Sequence, residues 1–205
     1  MLRCSRSLTI STIILIGPLC AGKSSTSRLL AERLGIERYE LDELRWDYYR
    51  EIGYDEETAS MLENGPEGLP ALSRYWKPFE AHAVERVLSD YKNCVIDFGA
   101  GHSVYEDEAL FARVQQALSP FEHVILLLPS PDLDESIAIV NSRLSRLLEQ
   151  VAGKVNPVAL QLNETFVKHP SNQRLAKMTI YTLDRTPEEV CSEIVQKIED
   201  FGKNG

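Results

Sequence analysis

A strand-like apolar run, Thr9 to Ile16, leads directly into Gly17-Pro18-Leu19-Cys20-Ala21-Gly22-Lys23-Ser24, which has the spacing G-x-x-x-x-G-K-S. The segment that follows, Ser24 to Leu34, sets Ser27, Leu30, Ala31 and Leu34 along one helical stripe. A buried parallel strand, a glycine-bounded turn and a helix N-terminus in that order leave few folds open, all of them α/β with a parallel sheet. The glycines let the backbone turn tightly and aim successive N–H groups at one point, and the first helical turn adds its own unpaired donors and the positive end of its dipole. Such a turn is built for a polyphosphate. Gly17, Cys20, Ala21, Gly22, Lys23, Ser24 and Ser25 are therefore expected to cradle a nucleotide, Lys23 reaching the β- and γ-phosphates and Ser24 setting its hydroxyl on a Mg²⁺ ion.

The chain has 205 residues, 43% of them apolar, enough for one α/β domain with a proper core. A formal charge of −9 argues against a polyanionic partner, so no nucleic acid is expected. Arg3 and Arg6 ahead of Leu8 to Leu19 mimic a short signal peptide, but the apolar run is too short to span a bilayer and ends in the phosphate loop. The reading is a cytoplasmic protein without a membrane partner, and a monomer is compatible with it. Cys4, Cys20, Cys94 and Cys191 have no C-x-x-C spacing and imply neither zinc nor a disulfide framework. Cys20, beside a helix N-terminus, is placed where a thiol can become more acidic, but the reading preferred for it is a small loop residue whose backbone matters more than its sulfur.

Strands and helices alternate along the rest. Glu37 to Leu41 reads as a second strand, Asp42 to Arg50 as a helix, Lys77 to Tyr91 as a helix and Cys94 to Phe98 as a third strand. Glu106 to Leu118 is helical, His123 to Leu128 a continuous apolar strand, Asp132 to Gln150 a helix, and Met178 to Leu183 the last strand. Thr186-Pro187-Glu188-Glu189 opens a C-terminal helix with a cap, a Pro at the first position and acidic residues in the first turn. Two stretches break the rhythm. Residues 51–76, with Gly53, Gly65, Pro66, Gly68 and Pro70, read as a long connection shaping an acceptor pocket, and residues 151–177 as a lid over the nucleotide.

Ligands of parallel α/β sheets bind beyond the carboxyl ends of the strands. Glu40 and Asp42 flank Leu41 at the end of the second strand, where alternation points them the same way. Asp42 is placed to take a proton from an attacking hydroxyl or to cap the next helix, and Glu40 to hold a magnesium water. Asp97, ending the third strand, is a second magnesium-side carboxylate or one half of an ion pair. The turn Gly99-Ala100-Gly101 beside it lets a small substrate approach the backbone, with His102 as a candidate hydrogen-bonding group.

These residues together resemble the shikimate kinase family of small phosphate-loop kinases, over most of the chain. The resemblance implies a three-layer α/β fold of the phosphate-loop NTPase and nucleoside monophosphate kinase type, a five-stranded parallel sheet with a lid. It implies that Glu40-Leu41-Asp42 occupies the family's acidic motif, Trp76-Lys77-Pro78-Phe79-Glu80 its F-R-x-x-E stretch and Gly99-Ala100-Gly101 its glycine triplet. Arg143 falls where a family arginine packs on adenine, and Arg185-Thr186-Pro187 looks like the adenine loop. There are departures: Lys77 is a point charge where the family has a carboxylate-gripping arginine fork, Ala100 stands within the triplet and Glu40 replaces an Asp. They predict an acceptor other than shikimate. In the lid, Lys168, His169 and Asn172 are polar fingers toward the substrate, and Arg146 or Arg174 supplies a cation for the phosphates.

The expected reaction moves the γ-phosphoryl group of ATP to a hydroxyl of a small metabolite, with Lys23 and Arg146 on the phosphates and Asp42 as the base. A nucleotide-dependent switch acting on a protein partner is the competing class. Against it, the sequence has no N/T-K-x-D guanine-reading motif, no D-x-x-G switch after a strand and no Leu-Ser-Gly-Gly signature.

Overall fold

The computed structural model describes residues 11–204, the last three of them as backbone only, so Arg3, Cys4, Arg6 and the start of the apolar run lie outside the described residues. Five strands form one parallel sheet: β1 (Ile13–Ile16), β2 (Arg38–Glu40), β3 (Val95–Asp97), β4 (His123–Leu128) and β5 (Met178–Tyr181), in the order β2-β3-β1-β4-β5. Its register sets Ile14 beside Ile96 and Val124, and Glu40 beside Asp97. The chain crosses from one side of β1 to the other between β3 and β4, so the C-terminal end of β1 is the topological switch point.

Alternation along the strands divides the core in two. Ile13, Leu15, Val95, Ile125 and Ile180 face α1 (Lys23–Leu34) and α9 (Pro187–Asn204). Ile14, Ile16, Ile96, Val124, Leu126 and Leu128 face the larger layer of α2 (Leu41–Glu51), α4 (Leu69–Asp90), α5 (Glu108–Leu118), α6 (Leu133–Ala152) and α8 (Pro170–Leu175). Each fully buried aliphatic side chain here contributes about 1.5–3 kcal/mol. The remaining helices are α3 (Glu56–Glu63) and α7 (Pro157–Lys168). Among the described residues, no helix is long and apolar enough to cross a membrane.

Helix starts follow their caps. Asp107, Asp132 and Asn156 accept backbone N–H bonds at the starts of α5, α6 and α7, and Thr186 and Glu189 form a reciprocal capping box ahead of α9. One expectation needs correction. Residues 51–76, read as a long connection, hold α3, capped by Asp55, and the first two turns of α4. The sequence places Pro78 at a helix start, whereas it lies inside a 22-residue helix. A cluster of Trp46, Tyr49, Tyr54, Tyr75, Trp76 and Phe79, with ring centroids 5.1–6.4 Å apart, binds α2 to α4 across that proline. Residues 151–177 are likewise built mainly of α7 and α8, with α7 packed on α6.

Candidate active site

The phosphate loop leaves β1 at Gly17, whose φ of +137° is open to glycine, and a Cβ there would sit 2.5 Å from the Leu127 carbonyl oxygen. Gly22, at φ +99°, is the N-cap of α1. Between them Cys20 holds the left-handed conformation at φ +60°, which costs a non-glycine residue on the order of 1–3 kcal/mol and persists only if its surroundings fix it. They do so through the carbonyls. Lys23 Nζ donates to the oxygens of Gly17 (3.0 Å) and Pro18 (2.9 Å), Asn163 Nδ2 to Leu19 O (3.4 Å), Arg143 to Cys20 O (3.2 Å) and Thr182 Oγ1 to Ala21 O (3.5 Å). In a trans peptide the N–H lies opposite the C=O, so the N–H groups of Cys20, Ala21 and Gly22 point away from the donors that hold the preceding carbonyls. Burial holds the Lys23 ammonium below its ordinary pKa, against the pull of Asp97 and Asp42. Burial also raises the Cys20 thiol, and Lys23 and Arg143 offset it only in part. The acidic thiol suggested by position is therefore not realised.

That cavity, about 450 Å³, is lined by Gly22, Lys23, Ser24 and Ser25 together with Glu40, Asp42, Asp97, Ala100 and Arg143. Three carboxylates from two separate strand ends thus meet the loop. Glu40 and Asp42 converge for a different reason than strand alternation: β2 ends at Glu40, Leu41 turns inward fully buried, and Asp42 lies in the first turn of α2. Asp42 does not cap that helix; Glu40 holds the N-cap position, and makes no side-chain cap bond. Asp42 is 55% exposed, 3.3 Å from Arg45, and its carboxylate lies against Gly99, where a Cβ would collide with it. Arg38, two residues before Glu40 on the same face of β2, ties the other pair: it lies 2.6 Å from Glu40, 3.5 Å from Asp97 and 2.6 Å from Ser27 Oγ. Burial raises the Asp97 pKa, opposed by Lys23, Ser24 and Arg38.

Farther from the loop, Lys77 Nζ lies 2.5 Å from Glu80 and 3.0 Å from Gly101 O, with the rings of Tyr105 and Phe166 at 5.5 and 5.9 Å. The Glu80 carboxylate is buried and packs where a Cβ on Gly101 would be. His102 is 1% exposed and has no hydrogen-bond partner on either ring nitrogen among the described residues; burial pushes its pKa down to about 4, so the ring is neutral. Its Nδ1 lies 3.9 Å from Asp42 Oδ1. A second cavity of about 570 Å³ opens beyond Lys77, walled by α4, residues 104–107 and α7. A thin apolar septum divides the two: Leu19 and Ala100 line the first and pack with Val104, Leu162 and Phe166, which line the second.

Several expected residues lie elsewhere. Arg146 is exposed on α6, outside the lining of the first cavity, and touches only Ser142 Oγ at 3.4 Å; Arg143 and Leu147 line that cavity instead. Arg174 pairs with Glu108 at 2.9 Å and covers the Phe111 ring. Arg185 is engaged by Tyr181 O, Glu189 O and Glu193, and Pro187 is the first residue of α9. Lys168 pairs with Glu164 and Asp134, and His169 caps α8 through Ser171 N–H. Neither Lys168 nor His169 lines the two large cavities. The sequence reading missed Arg38, Arg45 and Asn163; only Arg38 left a signal, its i, i+2 spacing to Glu40.

No family model matches the sequence, and no curated protein sequence does. Solved structures match over nearly the whole chain. A shikimate kinase from Acinetobacter baumannii in complex with shikimate superposes with a TM-score of 0.64 at 23% identity, over 94% of each chain. A gluconokinase from Sinorhizobium meliloti follows with 0.59 at 15% identity, over 96% of this chain and 95% of that one. A shikimate kinase from Aquifex aeolicus matches with 0.52 at 20% identity, over 95% and 99%. The architecture of this chain is accordingly the one that small phosphate-loop kinases of the shikimate kinase and gluconokinase type share.

Proposed function

We propose that the chain is a phosphotransferase that moves the γ-phosphoryl group of ATP to a hydroxyl of a small, uncharged metabolite, and that shikimate is not its acceptor. The observation that carries this reading is the meeting of Asp42, Glu40 and Asp97 with the phosphate loop in one cavity. The loop N–H groups, the N-terminus of α1 and Lys23 suit a triphosphate, and Arg143 is the cation at hand for it, in place of Arg146.

Among the described residues no group of three or more His, Cys, Asp or Glu forms a metal cage. The donor set still fits Mg²⁺, which keeps several waters and takes one or two carboxylates beside phosphate oxygens. Ser24 and Asp97 would hold it, with Glu40 held close by Arg38. Bound there, the ion would supply charge neutralisation for the phosphates. Asp42 accepts the proton of the acceptor hydroxyl as its oxygen bonds to the γ-phosphorus and the bond to the β-phosphate oxygen breaks, releasing ADP. Residues 151–177, through α7, exclude water in the role of a lid.

The uncharged acceptor follows from the ion pairs. Lys77, Arg74, Arg174 and Lys168 each hold a carboxylate, whereas Arg143, on the nucleotide side, has none among the described residues. Among the described residues, no cation is left over near Lys77 to take a substrate carboxylate. The test is ADP release from MgATP with matched neutral and acidic acceptors, such as sorbitol against gluconate and methyl shikimate against shikimate. Stimulation by the neutral members supports the reading; stimulation by the acids alone rejects the uncharged acceptor, and stimulation by neither rejects both pairs as acceptors.

A further inference from the structure

We infer that Asn163, at the middle of α7, is a positioning residue for the nucleotide phosphates: it holds the outer rim of the phosphate loop in its binding conformation. This rests on the phosphate-loop reading and adds to it a side chain 144 positions away in sequence. Asn163 is 0% exposed, and its amide is used on both ends. Leu19 N–H donates to Asn163 Oδ1 at 2.8 Å, while Nδ2 donates to Leu19 O at 3.4 Å and to Asn141 Oδ1 at 3.1 Å. Asn141 Nδ2 in turn donates to Leu160 O at 3.2 Å, so α6 and α7 together fix which way the amide faces.

Leu19 is the residue before strained Cys20, and its two peptide groups set the direction of the next N–H. With Leu19 O drawn to Asn163, the Cys20 N–H points away from Asn163, the sense in which it can donate to a phosphate; if that peptide flipped, a carbonyl oxygen would take its place. Arg143 on Cys20 O and Thr182 on Ala21 O hold the next two peptides in the same sense. Asn163 alone of these three grips both the N–H and the C=O of one loop residue. Because it rides on α7, which walls the second cavity, the hold also makes the loop's shape depend on α7 staying docked.

The test measures MgADP affinity by displacement of a fluorescent methylanthraniloyl-ADP, and inorganic tripolyphosphate affinity by the same displacement, in wild type and Asn163→Ala, with circular dichroism to establish folding. The expected result is a loss of about tenfold or more for ADP, from unpairing buried backbone groups, and an equal fold-loss for tripolyphosphate, which has no base or ribose. A merely structural role would lower the melting temperature and leave both affinities of the folded protein unchanged; that result overturns the inference. Should Asn163→Ala fail to fold, Asn141→Ala keeps the Leu19 bonds but frees the amide to turn. A loss of about two- to fivefold is then expected, and none overturns the inference. Wild type that ignores both ligands at millimolar concentration defeats the phosphate-loop reading itself, a result distinct from a wild type that binds and a variant that binds equally well.

Discussion

The phosphate loop and the Lys77–Glu80 wall lie on either side of one apolar septum, and they are built on opposite rules. The loop is held through its backbone: five consecutive carbonyls accept bonds from Lys23, Asn163, Arg143 and Thr182, and the cation beside it, Arg143, holds no carboxylate among the described residues. The wall's own charges are paired with each other, Lys77 with Glu80 and with Gly101 O, beside the rings of Tyr105 and Phe166. A site for a multiply charged ligand leaves its positive charge unspoken for. A site whose charges are closed on themselves selects by shape and neutral hydrogen bonds, because burying a further unpaired charge costs several kcal/mol.

The sharpest break in this comparison comes from Lys23→Ala, which should abolish turnover, a fall in kcat of at least about three decades, while circular dichroism still reports the native fold. Retained activity would remove the loop from the mechanism. Asp42→Asn should lower kcat by roughly two to four decades. A change in KM alone would make Asp42 an acceptor-binding residue and not the base.

On the other side of the septum stability should suffer first. Glu80→Ala leaves the Lys77 ammonium without its carboxylate and should cost about 3–5 kcal/mol in urea unfolding, with MgADP affinity unchanged. An equally stable variant would mean that the wall is not closed as described. His102 sharpens the same contrast through pH. Its native pKa of about 4 lies below the ordinary 6.5, so as pH falls between these values the unfolded chain takes up a proton that the native chain refuses. Stability should therefore fall with acid across that window, by up to about 3 kcal/mol, facing Asp42, Arg45, Lys77 and Glu80, and His102→Leu should flatten the slope. An unchanged slope would place the effect on other groups. The smallest effect is expected for Arg143→Ala: KM for ATP rises about tenfold and the melting temperature moves little, since no carboxylate loses a partner.

How much of this was legible depended on whether the cause was local. The strand His123–Leu128 was readable to the residue because six apolar positions in a row have one use in a parallel sheet. The start of α6 was readable from the side chain of Asp132, and the loop from glycines whose positions its backbone demands. The helices within residues 51–76 were not, because Pro78 signals a helix start and only the aromatic packing between α2 and α4 overrules it. Asp42 and Glu40 line one cavity through the turn from β2 into α2, not through the strand alternation that the sequence suggests, which ends one residue too soon. Asn163, Arg38 and Arg45 owe their roles to neighbours brought near by folding alone. Lys168, Arg174 and Arg185 were overvalued because a sequence shows a cation and not the carboxylate that satisfies it.

Titration of MgADP into the purified chain by isothermal calorimetry tests the central claim most directly. The account predicts saturable heat with a dissociation constant between about 1 µM and 1 mM, lost in Lys23→Ala. Folded wild-type protein that gives no heat with ADP, ATP or GTP up to millimolar concentration would contradict it.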